Sequence, residues 1–319
     1  MIDFRYHLVS IVSIFLALAV GIVLGAGPLK GDIGSRLTEQ MTALRAEKTQ
    51  LRTDLDDVKR DTSARDTFSA AVAPAIMRGR LTGKTVCLVI APGADADLVK
   101  NTTASLFAAG AKVGSTVTLT DAWADPAKRT SRNTTTKWFA ALVNAPMGAG
   151  SPDQLAAAVL TRAILDGTDR STERITPSSS AALDGLRAGD FLKVKPDQIL
   201  PSSSVVFLGG PVQGSTQQDV DARLITYAQL AAAFDAGGSG VVVAVKSNTK
   251  DRTRSADLVA AVRKRSDVVK VVSTVDNADL PMGQSTLIMA LQEQYVGGAG
   301  HYGLAADAKA VLPDTAAKQ

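Results

Sequence analysis

Sulfur and imidazole are the side chains that would hold a soft metal ion, because soft cations favour thiolate, thioether and ring nitrogen over carboxylate oxygen. This sequence offers one cysteine, Cys87, two histidines, His7 and His301, and six methionines. Met282 and Met289 are seven positions apart around the start of the last helical run, so they can share a helix face. Methionines in such a place also serve as core packing. Cys87 lies inside the apolar run TVCLVI (85–90), and His301 lies in GGAGHYG (297–303). No Cys-x-x-Cys, His-x-x-His or Met-x-x-Met pattern brings two such ligands together. Cys87, Met282 and His301 are therefore the candidates for metal binding, without a defined ligand set. No resident cofactor is expected.

Other chemistry is equally sparse. No nucleophile and base stand in a recognisable pattern, so no enzymatic activity is expected. APGAD (91–95) follows an apolar run, where an α/β domain would bind an anion, and LGGP (208–211) follows another. Neither carries a GxGxxG fingerprint or a phosphate-loop lysine, and both read as turns. Basic residues gather between Lys246 and Lys270, among them Arg252, Arg254, Arg263, Lys264 and Arg265. They form either a solvated face or a dock for an anionic polymer or acidic partner. The net charge of +4 and a pI near 9.1 are too modest to imply nucleic acid. A single cysteine forbids an internal disulfide and leaves the redox compartment open.

The elements that would position these residues begin with Leu8–Gly27, whose only polar side chains are Ser10 and Ser13. At about 1.5 Å per residue this run spans roughly 30 Å, the hydrocarbon thickness of a bilayer. Its length, and Pro28 just after it, favour a retained anchor (1–30) over a cleaved signal peptide. Arg5 on one side and Lys30 and Arg36 on the other leave the orientation undetermined. Ala17, Gly21 and Gly25 make a small-residue stripe on which two such helices can approach.

Beyond the anchor, Leu37, Leu44, Leu51 and Val58 recur every seven residues. Met41 and Leu55 fall at the second heptad position, and Lys48 and Thr62 interrupt it. The spacing predicts a coiled-coil stalk over 31–72; the competing arrangement is a helix lying on its own globular domain. Stripe and seam together predict a parallel homodimer.

From residue 80 to 296, continuous Val- and Ile-rich runs alternate with helical stretches, the pattern of a parallel sheet covered on both faces. Strands are expected at 85–90, 112–119, 204–208, 241–245 and 268–273. Residues 120–200 read as a helical insertion or crossover, and 297–319 as a flexible tail. The fold class is α/β: an N-terminal transmembrane helix, a coiled-coil stalk, and a Rossmann-like parallel-sheet domain with a helical insertion. The sequence shows none of the repeated apolar/polar alternation of membrane-barrel strands.

Two segments carry a resemblance. MIDFRYHLVSIVSIFLALAVGIVLGAG (1–27) and VVSTVDNADLPMGQSTLIMAL (271–291), followed by GGAGHYG, are similar to the two ends of the mycobacterial copper transport protein B (MctB) family. The order of anchor, charged helix, α/β domain and GHYG segment also matches, while 120–200 finds no counterpart. The resemblance implies an actinobacterial envelope protein, single-pass in the cell membrane, with its soluble part outside the cytoplasm and a role in copper homeostasis. Copper enters only through this resemblance, and no ligand set transfers with it. A branch of the family tied to cell separation implies the alternative, a non-catalytic envelope scaffold that binds a protein partner.

Overall fold

Runs of branched apolar residues with no polar alternation must be covered on both faces, and they form the centre of the structure. The computed structural model describes residues 4–26, 29–146, 150–165, 175–195, 199–248 and 255–314. The chain divides into two units, Met1–Arg65 and Asp66–Gln319.

The first unit holds α1 (Phe4–Ala26) and most of α2 (Leu29–Met77). Phe4–Gly25 is long and apolar enough to cross a membrane, and none of it is buried within the chain. α2 has no buried residue before Ala73 among those described. It continues past Pro74 to Met77, although proline there withdraws one backbone donor from the helix.

The second unit is a seven-stranded sheet in the order β3-β2-β1-β4-β5-β6-β7. Its strands are β1 (Thr85–Ile90), β2 (Lys112–Leu119), β3 (Leu192–Lys195), β4 (Ser204–Leu208), β5 (Val241–Ala244), β6 (Ser273–Val275) and β7 (His301–Tyr302). All neighbours pair in parallel except β2 and β3. Alternate residues of each strand face opposite layers. Cys87, Val89, Val205, Phe207, Val241 and Val243 join one core, against α6 (Pro152–Ile164), α8 (Gln217–Gly237) and α9 (Leu258–Lys264). Val86, Leu88, Val206, Leu208, Val242 and Ala244 join the other. That core includes the end of α2, α3 (Ala96–Ala108) and α10 (Pro281–Gln294).

The expected insertion, 120–200, supplies α4 (Asp121–Ala124), α5 (Arg129–Ala140), α6 and α7 (Pro177–Ala188) to the first core, and then the antiparallel edge strand β3. Two expectations are corrected. The run VVKVVS (268–273) is not a strand along its length. Val271 and Val272 turn back onto the Val268 carbonyl, and β6 begins only at Ser273. Residues 297–314 are not a tail, because His301 and Tyr302 pair with Thr274 and Val275 as the last strand. Lys309 and Ala310 then donate back to the His301 carbonyl.

Candidate functional site

β1 is the point where the strand order reverses: β2 lies on one side of it and β4 on the other. In an open α/β sheet, ligands bind beyond the strand ends at such a point. A crevice of about 320 Å³ lies there, lined by Gly93, Asp95, Gly210, Pro211, Lys246 and Asp257 among others. Gly93 has φ +77°, and a Cβ built on Gly210 would fall inside the Gly93 carbonyl. The glycines of APGAD and LGGP thus let two backbone loops touch.

The electrostatics of the crevice disfavour phosphate. Asp95 caps α3, accepting from the amides of Asp97 (3.0 Å) and Leu98 (3.1 Å). These are the donors a helix start would offer an anion, and a carboxylate already holds them. Lys246 Nζ sits 2.8 Å from Asp95 Oδ2, and this bond, with the amide bonds, holds the Asp95 carboxyl below its usual range. Asp257 caps α9 in the same way, through Val259 N (2.8 Å) and Ala260 N (3.2 Å). Asp279 accepts from Ser247 N (2.7 Å) and Oγ (2.8 Å). Such a crevice suits a neutral or cationic group better than a nucleotide.

A second constellation joins β6, β7 and α9. Arg263 Nη1 donates to Asp276 Oδ2 and to Asp307 Oδ1, each at 2.8 Å. Its Nε reaches Thr274 Oγ1 (2.9 Å) and its Nη2 the Tyr302 carbonyl (2.8 Å). The Arg263 side chain is 4% exposed and that of Asp276 3%. Asp276 Oδ1 also accepts from the amides of Leu304 (2.8 Å) and Ala305 (3.2 Å). His301 closes the group. Its Nε2 donates to the Val269 carbonyl (2.8 Å), so its Nδ1 accepts from the Thr274 hydroxyl (2.9 Å). Burial, with Arg263 nearby, pushes the His301 pKa below its usual value.

The metal candidates do not converge. Cys87 is fully buried in the first core, where desolvation raises its thiol pKa to about 12, opposed in part by the Ser115 hydroxyl. Met282 is half-buried at the start of α10, which packs in the other core, across the sheet from Cys87. Both ring nitrogens of His301 are engaged. Among the described residues no group of three or more His, Cys, Asp or Glu side chains is placed to hold a metal.

Nor do the basic residues form one patch. Arg252 and Arg254 lie outside the described residues. Arg263 turns inward to Asp276, Lys264 is exposed, and Arg265 pairs with Asp267 at 2.6 Å. In α1 and α2, Ala17, Gly21, Gly25, Leu37, Leu44, Leu51 and Val58 are all exposed, and a Cβ on Gly21 or Gly25 would meet nothing within 4 Å. Asp95 and Asp276 escaped the sequence reading. Asp95, placed just before a helical run, carried the signal of a helix cap; Asp276 carried none, because its partner Arg263 lies in another element.

Comparison with known proteins covers nearly the whole chain. The family model "Copper transport outer membrane protein, MctB" matches residues 1–313. The copper transporter MctB of Mycobacterium tuberculosis (strain ATCC 25618 / H37Rv) is 30% identical over 314 residues, covering 95% of this chain and 96% of the relative. The copper transporter MctB of Mycobacterium leprae (strain TN) is 27% identical over 319 residues, with coverage of 95% and 96%.

Proposed function

The chain belongs to the MctB copper transport family, and on that premise we propose that it is a non-catalytic, membrane-anchored envelope protein that acts in copper homeostasis, with copper as cargo rather than cofactor. The observation that carries the anchoring is α1. Its Phe4–Gly25 segment is apolar and wholly unburied, which costs free energy in water and none in a bilayer. The sheet has helices against both faces, so its apolar strands are spent on the chain's own core. We place α1 as a single span of the cell membrane, α2 as a stalk, and the Rossmann-like sheet domain outside the cytoplasm.

The test is a strain lacking the protein. Growth should fall as copper rises, and the full chain should restore it. Unchanged copper tolerance would overturn the copper role.

A second reading is an envelope scaffold whose sheet domain binds a protein controlling cell separation. It is favoured by the engagement of His301 and Cys87 inside the fold, which leaves these two candidates no free ligand atom at the surface. Chained, unseparated cells with normal copper tolerance in the same strain would select it.

A further inference from the structure

α2 carries apolar side chains that the described residues leave uncovered: Leu37, Met41, Leu44, Leu51, Leu55 and Val58 are 44–62% exposed. Their alternating steps of four and three fix the heptad. Leu37, Leu44, Leu51 and Val58 take position d, and Met41, Lys48, Leu55 and Thr62 take position a. The flanking positions are then determined. Position e is Arg45, Arg52 and Lys59; position g is Glu47, Asp54 and Asp61. All six are exposed, and each flank of the seam carries one sign of charge.

We infer that this face binds a second copy of the chain as a parallel, in-register, two-stranded coiled coil, and that the charged flanks select this pairing. In a parallel pair, each g position meets the e position of the partner's next heptad. Glu47 then faces the partner's Arg52, and Asp54 faces the partner's Lys59. In an antiparallel pair, g meets g and e meets e, which sets acid against acid along one flank and base against base along the other. Lys48, the one charged residue at position a, fits a two-stranded seam. There its stem lies along the interface while the ammonium reaches water, whereas a larger bundle would bury the charge. Two contacts within the helix compete: Lys59 to Asp56 is 3.7 Å long, with side chains 66% and 70% exposed, and Gln50 Nε2 donates to Asp54 Oδ1 at 2.8 Å; both are exposed, so they hold Lys59 and Asp54 weakly. The pattern ends at Arg65 and Asp66, which take the next d and e positions, and the first unit ends there too. The inference stands on this seam alone and is independent of the copper reading.

The experiment uses the full chain in membranes, with Leu44→Cys in a Cys87→Ala background as a crosslinking reporter. One variant adds Glu47→Lys and Asp54→Lys; the other adds Arg52→Glu and Lys59→Glu. The reporter alone should form a dimer linked by a disulfide between the two copies of position 44. Each charge variant alone should lose at least tenfold in crosslinking, because all its flanking contacts become repulsive. Co-expressed with distinct tags, the two variants should crosslink to each other at the reporter's level, which also shows that both fold. A reporter moved to the opposite face, at Ala46 or Thr53, should stay uncrosslinked. Undiminished crosslinking of either variant with itself, no recovery on mixing, or equal crosslinking at Ala46 would overturn the inference.

Discussion

Leu44 and Leu51 are 60% and 61% exposed, while Leu88 and Leu106 are 1% and 0% exposed. The two pairs are the same residue type in two units of one chain. In the second unit, the core side chains such as Leu88 and Leu106 are covered by a sheet and the helices on its two faces, so a substitution at one of them is felt by the fold. In the first unit, α1 and α2 present their apolar side chains outward, and the described residues leave them exposed. The difference separates residues that make the fold from residues that the fold leaves exposed.

The largest effect should come from breaking the inward side of that contrast at its costliest point. Arg263→Ala leaves Asp276 charged and buried without its guanidinium, and the loss of stability should be about 3–5 kcal/mol. Urea unfolding of the detergent-solubilised chain, followed by fluorescence of the buried Trp123, measures it. Leu88→Ala should cost about 2–5 kcal/mol in the same assay, through lost burial and a cavity. Gly210→Ala forces its loop away from the Gly93 carbonyl and should cost about 1–3 kcal/mol.

His301 gives a pH dependence whose sign is fixed. Its folded pKa lies below the unfolded value near 6.5, so the unfolded chain takes up a proton first as the pH falls. Stability is full above about 6.5 and drops as the pH falls through that value toward the folded pKa. The urea midpoint should decline over this window in the wild type and decline less in His301→Asn. The smallest effect belongs to the first unit. Leu51→Ala should move the unfolding of the sheet domain by less than about 0.5 kcal/mol. A shift as large as that of Leu88→Ala would erase the contrast.

The sequence announced what local pattern could encode. β1, β4 and β5 stand where continuous Val and Leu runs put them, because a strand buried on both faces needs such a run, while β2, KVGSTVTL, is legible from its Val and Thr residues. β3, LKVK, is four residues on an edge, with alternate residues exposed, too short and too polar to stand out. β7 is two residues in a glycine-rich stretch, held by Arg263 and Thr274 from elsewhere in the chain. The same long-range bonds explain why Arg263 reads as a surface charge in sequence and is a buried one in the fold. The metal candidates fared likewise: nothing in the local sequence says that Cys87 and Met282 fall on opposite faces of one sheet.

We propose above that a bilayer covers the outward apolar surface of α1. Membranes from cells expressing the chain can be washed with alkaline carbonate and the retained protein weighed intact by mass spectrometry. The chain should resist carbonate, and its mass should include Phe4–Gly25. A chain released by carbonate, or a mature protein starting near residue 28, would contradict it.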